Sequence, residues 1–510
     1  MPIHRIPGKL WPMRKLLLGL AWLSAACGDN DPGTDPPNTE VPAVVPECHH
    51  VDGTAASFQS SADLGPVVEG TLKAWDPDGR WFLTGTRVGG VSSYHFERQG
   101  LQVIVDRDAA SPGTIDDNEI FQRSQLANAM GEPLTITRRV SNLAADGTLR
   151  GERVVCQTSG CTVCTATLVR ATHNAMEGDG DHLAMVGALN SPTWGPGYTF
   201  NVRVIGTIAY LIRQDGLHMI ETADPAHPVE LGWWTRTGDG YSNDVKLVEA
   251  NGKRYAIIAD YPSDVVDVTD PTMPRLVAQV PVEAHTLFTE SRAGKLYAYF
   301  GAYDGKCPVF DVTNPEAPQR LGSYDSSGTI VHDLMIDNGI AYLNAWEEGF
   351  HVVDYTNPSQ PMLLGKWRQT PTRTSHSSWA FSGGGKKLAL HGEEAYGAHL
   401  DIVDVDPASP GFMTSIGTYK TRDWVSIHNV MVVGGRAYMS YYQDGVRVLD
   451  VSDPTKPKQL GYFNTWDPQA DYTSSHFFEG AVGIDVDPAR KLVFIADSPR
   501  GLIILRDETF

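Results

Sequence analysis

The sequence predicts an all-β protein: a seven-bladed β-propeller preceded by a small antiparallel β-barrel or sandwich domain. Three observations carry this prediction. Fifty Gly, 33 Pro and 12 Trp in 510 residues, with few long helical patterns, indicate many short strands joined by tight turns. The motif Asp/Asn-Pro-x-x-Pro recurs six times, its first proline falling at Pro225, Pro271, Pro315, Pro358, Pro407 and Pro454. Successive copies are 46, 44, 43, 49 and 47 residues apart, room for four short strands per unit, the composition of a propeller blade.

Within each unit the elements follow from local chemistry. A short, mostly β-branched run precedes each proline pair and carries an acidic residue near its end: Glu221, Asp267, Asp311, Asp354, Asp404 and Asp450. Proline lacks an amide donor and ends the strand, and a carboxylate beside such a turn caps its free amides. Behind the prolines most copies continue with an apolar-Gly-aromatic strand, such as Leu231-Gly232-Trp233, Leu321-Gly322-Ser323-Tyr324 and Leu460-Gly461-Tyr462. Ahead of the β-branched run lies a further strand, as in Leu296-Tyr297-Ala298-Tyr299 and Ile340-Ala341-Tyr342-Leu343.

A seventh copy, Leu492 to Ala496 and Gly501 to Leu505, stops before any proline turn and lacks its outer strand. Residues 182–189 align with 227–234 and are predicted to supply that strand. The ring then closes without an exposed edge.

These runs resemble the LVIVD-repeat family of bacterial and archaeal cell-surface proteins, as in Ile402-Val403-Asp404-Val405 followed by Asp406-Pro407. The resemblance spans about residues 200 to 505. It implies the propeller fold and leaves the activity open.

Residues 48–175 lack the repeat. Strands are predicted at 80–85, 101–106, 134–137 and 165–169, and Cys48, Cys156, Cys161 and Cys164 are disulfide candidates for an oxidising compartment. A metal site at Cys161-x-x-Cys164 with His49 and His50 is the competing reading, though zinc usually takes a second cysteine pair at matching spacing. Cys307 is odd in number and reads as a buried thiol.

At the N-terminus Lys9, Arg14 and Lys15 precede the apolar run Leu16 to Ala26 and then Cys27. Residues 1–27 resemble a bacterial lipoprotein signal in which Cys27 is acylated; Ser24 stands where the usual leucine would be. Residues 28–47, rich in Asp, Pro and Gly, form a tether. With the propeller at 176–510, the expectation is an exported protein of the bacterial cell envelope, at the outer membrane or cell surface, held to the membrane through its lipid anchor only. The net charge of −20 and pI near 5.2 supply no basic stripe for nucleic acid.

Counted from the second-strand aromatics, equivalent inner-strand slots hold Asn201, Asp244, His285, His332, His376, His428 and Gly480, the last beside Glu479. Four consecutive blades thus present histidine at one level, with Asp244 in the preceding blade. Loops expected at the same rim add Asp260, Asp304, Glu347, Glu348, Glu393, Glu394 and Asp444. Imidazoles beside carboxylates suit a divalent transition metal, and His285, His332, His376, His428 and Asp244 are the candidate ligands. The competing reading is structural, because a repeat copies the residues that order its own turns.

No Gly-x-Ser-x-Gly, phosphate loop or dinucleotide fingerprint is present, and Ser375-His376 and Ser475-His476 are neighbours in sequence only. No catalytic residue is assigned. The leading expectation is a surface-tethered binding or scaffold module for a protein, glycan or small ligand. The alternative is a metal-dependent enzyme, such as an oxidoreductase, centred on the channel histidines.

Overall fold

The computed structural model describes residues 48–510 other than 66–69, 71, 85–92, 128–132, 144–148, 175, 195–196, 237–241, 369–373, 396, 423–424, 469 and 471–477. The expected signal, its Cys27, the tether and His476 lie outside the described residues. The chain divides into two compact units, Met1–Arg170 and Ala171–Phe510.

In the first unit Gly79–Thr84, Ser93–Gln99, Gln102–Val105, Gly113–Ile115, Glu119–Ala127, Pro133–Leu143, Leu149–Gln157 and Gly160–Arg170 pair antiparallel in chain order. The last strand also pairs with the first, closing an eight-stranded barrel rather than a sandwich. Four of these strands escape the sequence reading. Glu119–Ala127 shows why: Gln122 and Ser124 occupy buried positions while Leu126 is exposed, so apolar alternation is lost. The buried amide and hydroxyl are satisfied within the barrel, Arg138 Nη1 donating to Gln122 Oε1 at 2.6 Å and Gln122 Nε2 to Ser124 Oγ.

Cys48–Val51 adds to the barrel beside Cys161–Cys164, where a Cys48–Cys164 disulfide fastens it. A second disulfide, Cys156–Cys161, crosses the hairpin between the last two barrel strands. Arg139 holds Ser61–Leu64, the second of the two short 3₁₀ turns that follow Cys48–Val51. Its guanidinium pairs with Glu152 at 2.8 Å and donates to the carbonyls of Ser61, Leu64 and Gly65.

The second unit is the seven-bladed propeller. Blades 1 to 6 each run through four consecutive antiparallel strands: Thr199–Ile205 to Val229–Thr235, Asp244–Ala250 to Arg275–Val280, Ala284–Arg292 to Gln319–Asp325, Asp333–Asp337 to Met362–Trp367, Ser375–Gly383 to Thr414–Tyr419, and Val430–Val433 to Lys458–Phe463. Blade 7 has three, Ala481–Asp487, Leu492–Asp497 and Gly501–Asp507, and takes its outer strand from Leu183–Leu189. The closure expected from residues 182–189 is therefore how the ring is completed. A second stitch was not foreseen: Gly180–Asp181 pairs with the outer strand of blade 6.

The repeated carboxylates act as the sequence predicts. Glu221, Asp267, Asp311, Asp354, Asp404 and Asp450 each accept a hydrogen bond from a backbone amide one or two residues on, at 2.7 to 3.2 Å. Asp507 does the same in blade 7 through the Thr509 amide. The Asp or Asn ahead of each first proline caps in turn the amide two residues on, as Asp270 does for Thr272 at 2.9 Å.

Every outer strand also carries a one-residue bulge. In blade 3, Val309 pairs with Gly322 and Phe310 with Arg320, so Leu321 is the extra residue. The apolar-Gly step of the repeat is this bulge. The cores centre on the second and third strands of neighbouring blades, as where Tyr299, Val309, Leu343 and Val353 pack together, with first-strand residues such as Leu334 and Ile336 joining them.

Candidate functional site

The first strands of successive blades neighbour one another all the way round the ring and line its central channel. His285 and His376 are the second residues of the first strands of blades 3 and 5; His332 and His428 stand just ahead of those of blades 4 and 6. The common offset brings the four imidazoles into a continuous arc. Ring centroids are 3.9 Å apart for His285 and His332, 4.3 Å for His332 and His376, and 4.3 Å for His376 and His428.

Two of the rings are oriented by the following blade rather than by their own. His285 Nδ1–H donates to the His332 carbonyl at 2.9 Å, and His428 Nδ1–H to the Val482 carbonyl at 2.8 Å. In this tautomer each keeps a lone pair on Nε2. His332 and His376 continue the series at looser geometry, each imidazole facing the backbone of the histidine in the next blade, His376 and His428 respectively, and His376 is 2% exposed. Burial depresses all four imidazoles, His285 to about 4, His428 to about 3, and His332 and His376 well below the ordinary value, so all are neutral at pH 7.

Each of these histidines faces a residue from the turn after the second strand of its own blade. In blade 3 this is Tyr303, 5.6 Å from His285 between centroids; in blade 4, Trp346 stacks on His332 at 4.6 Å; in blade 6, Tyr442 lies 4.9 Å from His428. In blade 5 the position is taken by Glu394. The equivalence is visible in the backbone, since the Tyr303 amide donates to Glu283 and the Glu394 amide to Thr374, each at 3.1 Å across the same two strand ends.

Glu394 is 8% exposed and sits among the imidazoles. One carboxylate oxygen lies 3.8 Å from His376 Nε2, and the other 4.0 Å from His428 Nε2 while accepting a hydrogen bond from the Tyr442 hydroxyl. Burial pushes its pKa up to about 7, against the lowering effect of the Tyr442 hydroxyl. His332, His376 and Glu394 each offer a ligand atom within 4.8 Å of the other two.

The remaining candidates are placed otherwise. Asp244 accepts from Asn201 Nδ2 at 2.8 Å and Thr286 Oγ1 at 3.0 Å, and pairs with Lys246. Burial acts to raise its pKa, and the Lys246 and Arg203 charges outweigh burial, leaving it below the ordinary value. It is a structural anion of the channel wall and does not join the imidazole cluster. In blade 7, Gly480 adopts φ +100°, and a Cβ there would stand 2.2 Å from the Tyr442 carbonyl. Most of the other loop carboxylates are bound to nearby cations: Asp260 to Arg236, Asp304 to Lys306, Glu348 to Lys366 and Arg368, and Asp444 to Arg422. Glu347 accepts the Thr329 amide, and Glu479 accepts Trp466 Nε1–H at 3.1 Å. Ser375 Oγ meets His391 Nε2 at 2.9 Å rather than His376, and both side chains are buried.

The family described as LVIVD repeat matches residues 239–282, 329–368 and 426–465, which fall in blades 2, 4 and 6. The chain carries LVIVD repeats. No curated protein matches it. Among solved structures, the WD40 β-propeller domain of Doa1 is 10% identical with a TM-score of 0.43, covering 63% of this chain and 96% of that one. The computationally designed Ika8 protein is 12% identical with a TM-score of 0.39, covering 72% and 92%.

Proposed function

We propose that this protein is an exported, lipid-anchored binding module whose ligand occupies the histidine–glutamate cluster at one end of the propeller channel. The observation that carries the reading is the meeting of His376 and Glu394, a buried imidazole whose Nε2 makes no hydrogen bond among the described residues and faces a buried carboxylate at 3.8 Å. Burying such a nitrogen without a partner costs about 1 to 3 kcal/mol, and a ring of repeats could have placed a hydrogen-bonded or apolar residue there. A polar pocket kept unsatisfied within a rigid, closed ring is a preorganised site. The apolar run ending at Cys27 supports the anchor.

Two experiments test it. Growth with a labelled fatty acid should mark the wild type and not Cys27→Ala; equal label in both sinks the anchor. A thermal-shift panel of sugars, amino acids, dicarboxylates and divalent cations should raise the melting temperature of the wild type with at least one class. His376→Ala should stay at its own baseline. A panel that moves neither protein removes the pocket as a binding site.

A further inference from the structure

We infer that His332, His376 and Glu394 form a binding site for a divalent first-row transition metal, with His428 as an adjoining fourth donor and the channel side left open for an exogenous ligand. The inference rests on reading this pocket as the binding site and names what fills it first.

The donor set is two imidazoles and one carboxylate, a combination that takes zinc in hydrolytic sites and iron(II) in oxygen-activating ones. Its ligand atoms all lie within 4.8 Å of one another. A tetrahedral ion with bonds near 2.1 Å holds its donors about 3.4 Å apart, so loading requires the three side chains to draw together by about an ångström.

The surroundings are those of a metal site rather than of a hydrogen-bonded turn. The Tyr442 hydroxyl donates to one oxygen of Glu394, which leaves the other turned to His376. The Val482 carbonyl takes the Nδ1–H of His428 and leaves Nε2 to face Glu394. Such outer partners fix the tautomer and direction of the side chains that bind a metal. The departure from the repeat points the same way. Blades 3, 4 and 6 set an aromatic ring against their channel histidine, and blade 5 alone of these four sets a carboxylate there. A residue retained for stacking would be copied round the ring; the one that breaks the pattern supplies the anionic donor. His332 is less completely buried than His376, which puts the open side of the cluster toward the channel.

The test uses the full chain without a polyhistidine tag, stripped with a chelator and titrated with Zn²⁺ and with Co²⁺. One equivalent of Zn²⁺ should bind by calorimetry. Co²⁺ should give visible d–d absorption whose intensity reports four or five donors. His376→Ala and the isosteric Glu394→Gln should each weaken Zn²⁺ binding at least 100-fold, and His428→Ala about 10-fold, while His351→Ala, on an outward part of blade 4, leaves it unchanged. Circular dichroism confirms folding, and Glu394→Gln serves if His376→Ala does not fold. Substoichiometric binding by the wild type, or unchanged affinity in Glu394→Gln, overturns the metal site. If the thermal-shift panel yields an organic ligand but no cation binds, the metal falls and the binding module stands; if neither binds, both fall.

Discussion

Gly322 and Pro358 hold blade 3 against blade 4: a Cβ on Gly322 would stand 2.2 Å from the Pro358 carbonyl oxygen. The same contact recurs around the ring. Gly187 meets Pro225, Gly232 meets Pro271 and Gly417 meets Pro454, each in the following blade, at 2.0 to 2.7 Å from a built Cβ. The two most visible features of the repeat, the Asp-Pro turn and the Leu-Gly step, are thus two halves of one inter-blade joint. The bulge turns the strand so that the glycine backbone lies against the next proline turn.

Gly322→Ala should therefore destabilise the propeller by about 1 to 3 kcal/mol, the ordinary cost of overpacking against backbone that cannot retreat. Blade 2 provides the control, since its outer strand has Ala278 at the bulge, paired with Val265. Ala278→Gly should change stability by less than about 1 kcal/mol. Denaturant melts of both variants decide the matter, and equal small effects would show that the joint is not tight.

Ring closure predicts a sharp length dependence. A chain starting at residue 178 keeps both Gly180–Asp181 and Leu183–Leu189, whereas one starting at 191 leaves Gly501–Asp507 as an unpaired edge. The shorter chain should melt on the order of 10 °C lower and be nicked first near 501–507 in limited proteolysis. Matching melting curves would mean that blade 7 is stable on three strands.

Much of this architecture was legible because a repeat writes the same physical solution six times. Caps such as Asp311 and the closing segment 182–189 could be read from alignment alone. The level of the four histidines was legible for the same reason. Glu394 as their partner was not, since in sequence it is one of seven rim carboxylates, and five of the others are bound elsewhere. The available signal was the aromatic series Tyr303, Trp346 and Tyr442, in which blade 5 is the exception. The connection after the second strand is longer in blade 5 than in blades 3, 4 and 6, which hides that register. In the barrel, buried Gln122, Ser124 and Arg138 erased the alternation that marks a half-buried strand.

His351, in the third strand of blade 4, gives a defined response to acid. The Tyr324 hydroxyl donates to its Nδ1 and its Nε2–H donates to the Glu348 carbonyl, both at 3.1 Å, and burial lowers its pKa to about 4. Unfolded, it titrates near 6.5, so between these values the unfolded chain binds the extra proton. Its contribution is fully present above pH 6.5 and is lost as pH falls toward 4, about 3 kcal/mol in all. His351→Gln cannot titrate. Its deficit relative to wild type in urea melts should be largest at pH 7 and shrink by about that amount at pH 4. A deficit that is the same at both pH values would show that His351 is not held neutral.

Glu394 should show the opposite balance between stability and use. Its carboxylate is almost wholly buried, no Lys or Arg pairs with it among the described residues, and its nearest basic groups are imidazoles kept neutral by burial. At pH 8 the fold bears the desolvation of that charge, relieved mainly by the Tyr442 hydroxyl. Glu394→Gln keeps the shape and the acceptor for Tyr442 while removing the charge. The variant should be more stable than wild type by about 1 kcal/mol in the absence of metal. It should lose the rise in melting temperature that Zn²⁺ gives the wild type. A destabilised Glu394→Gln in metal-free buffer would mean that the carboxylate holds blade 5 in place, and the exception in the repeat would then be a structural one.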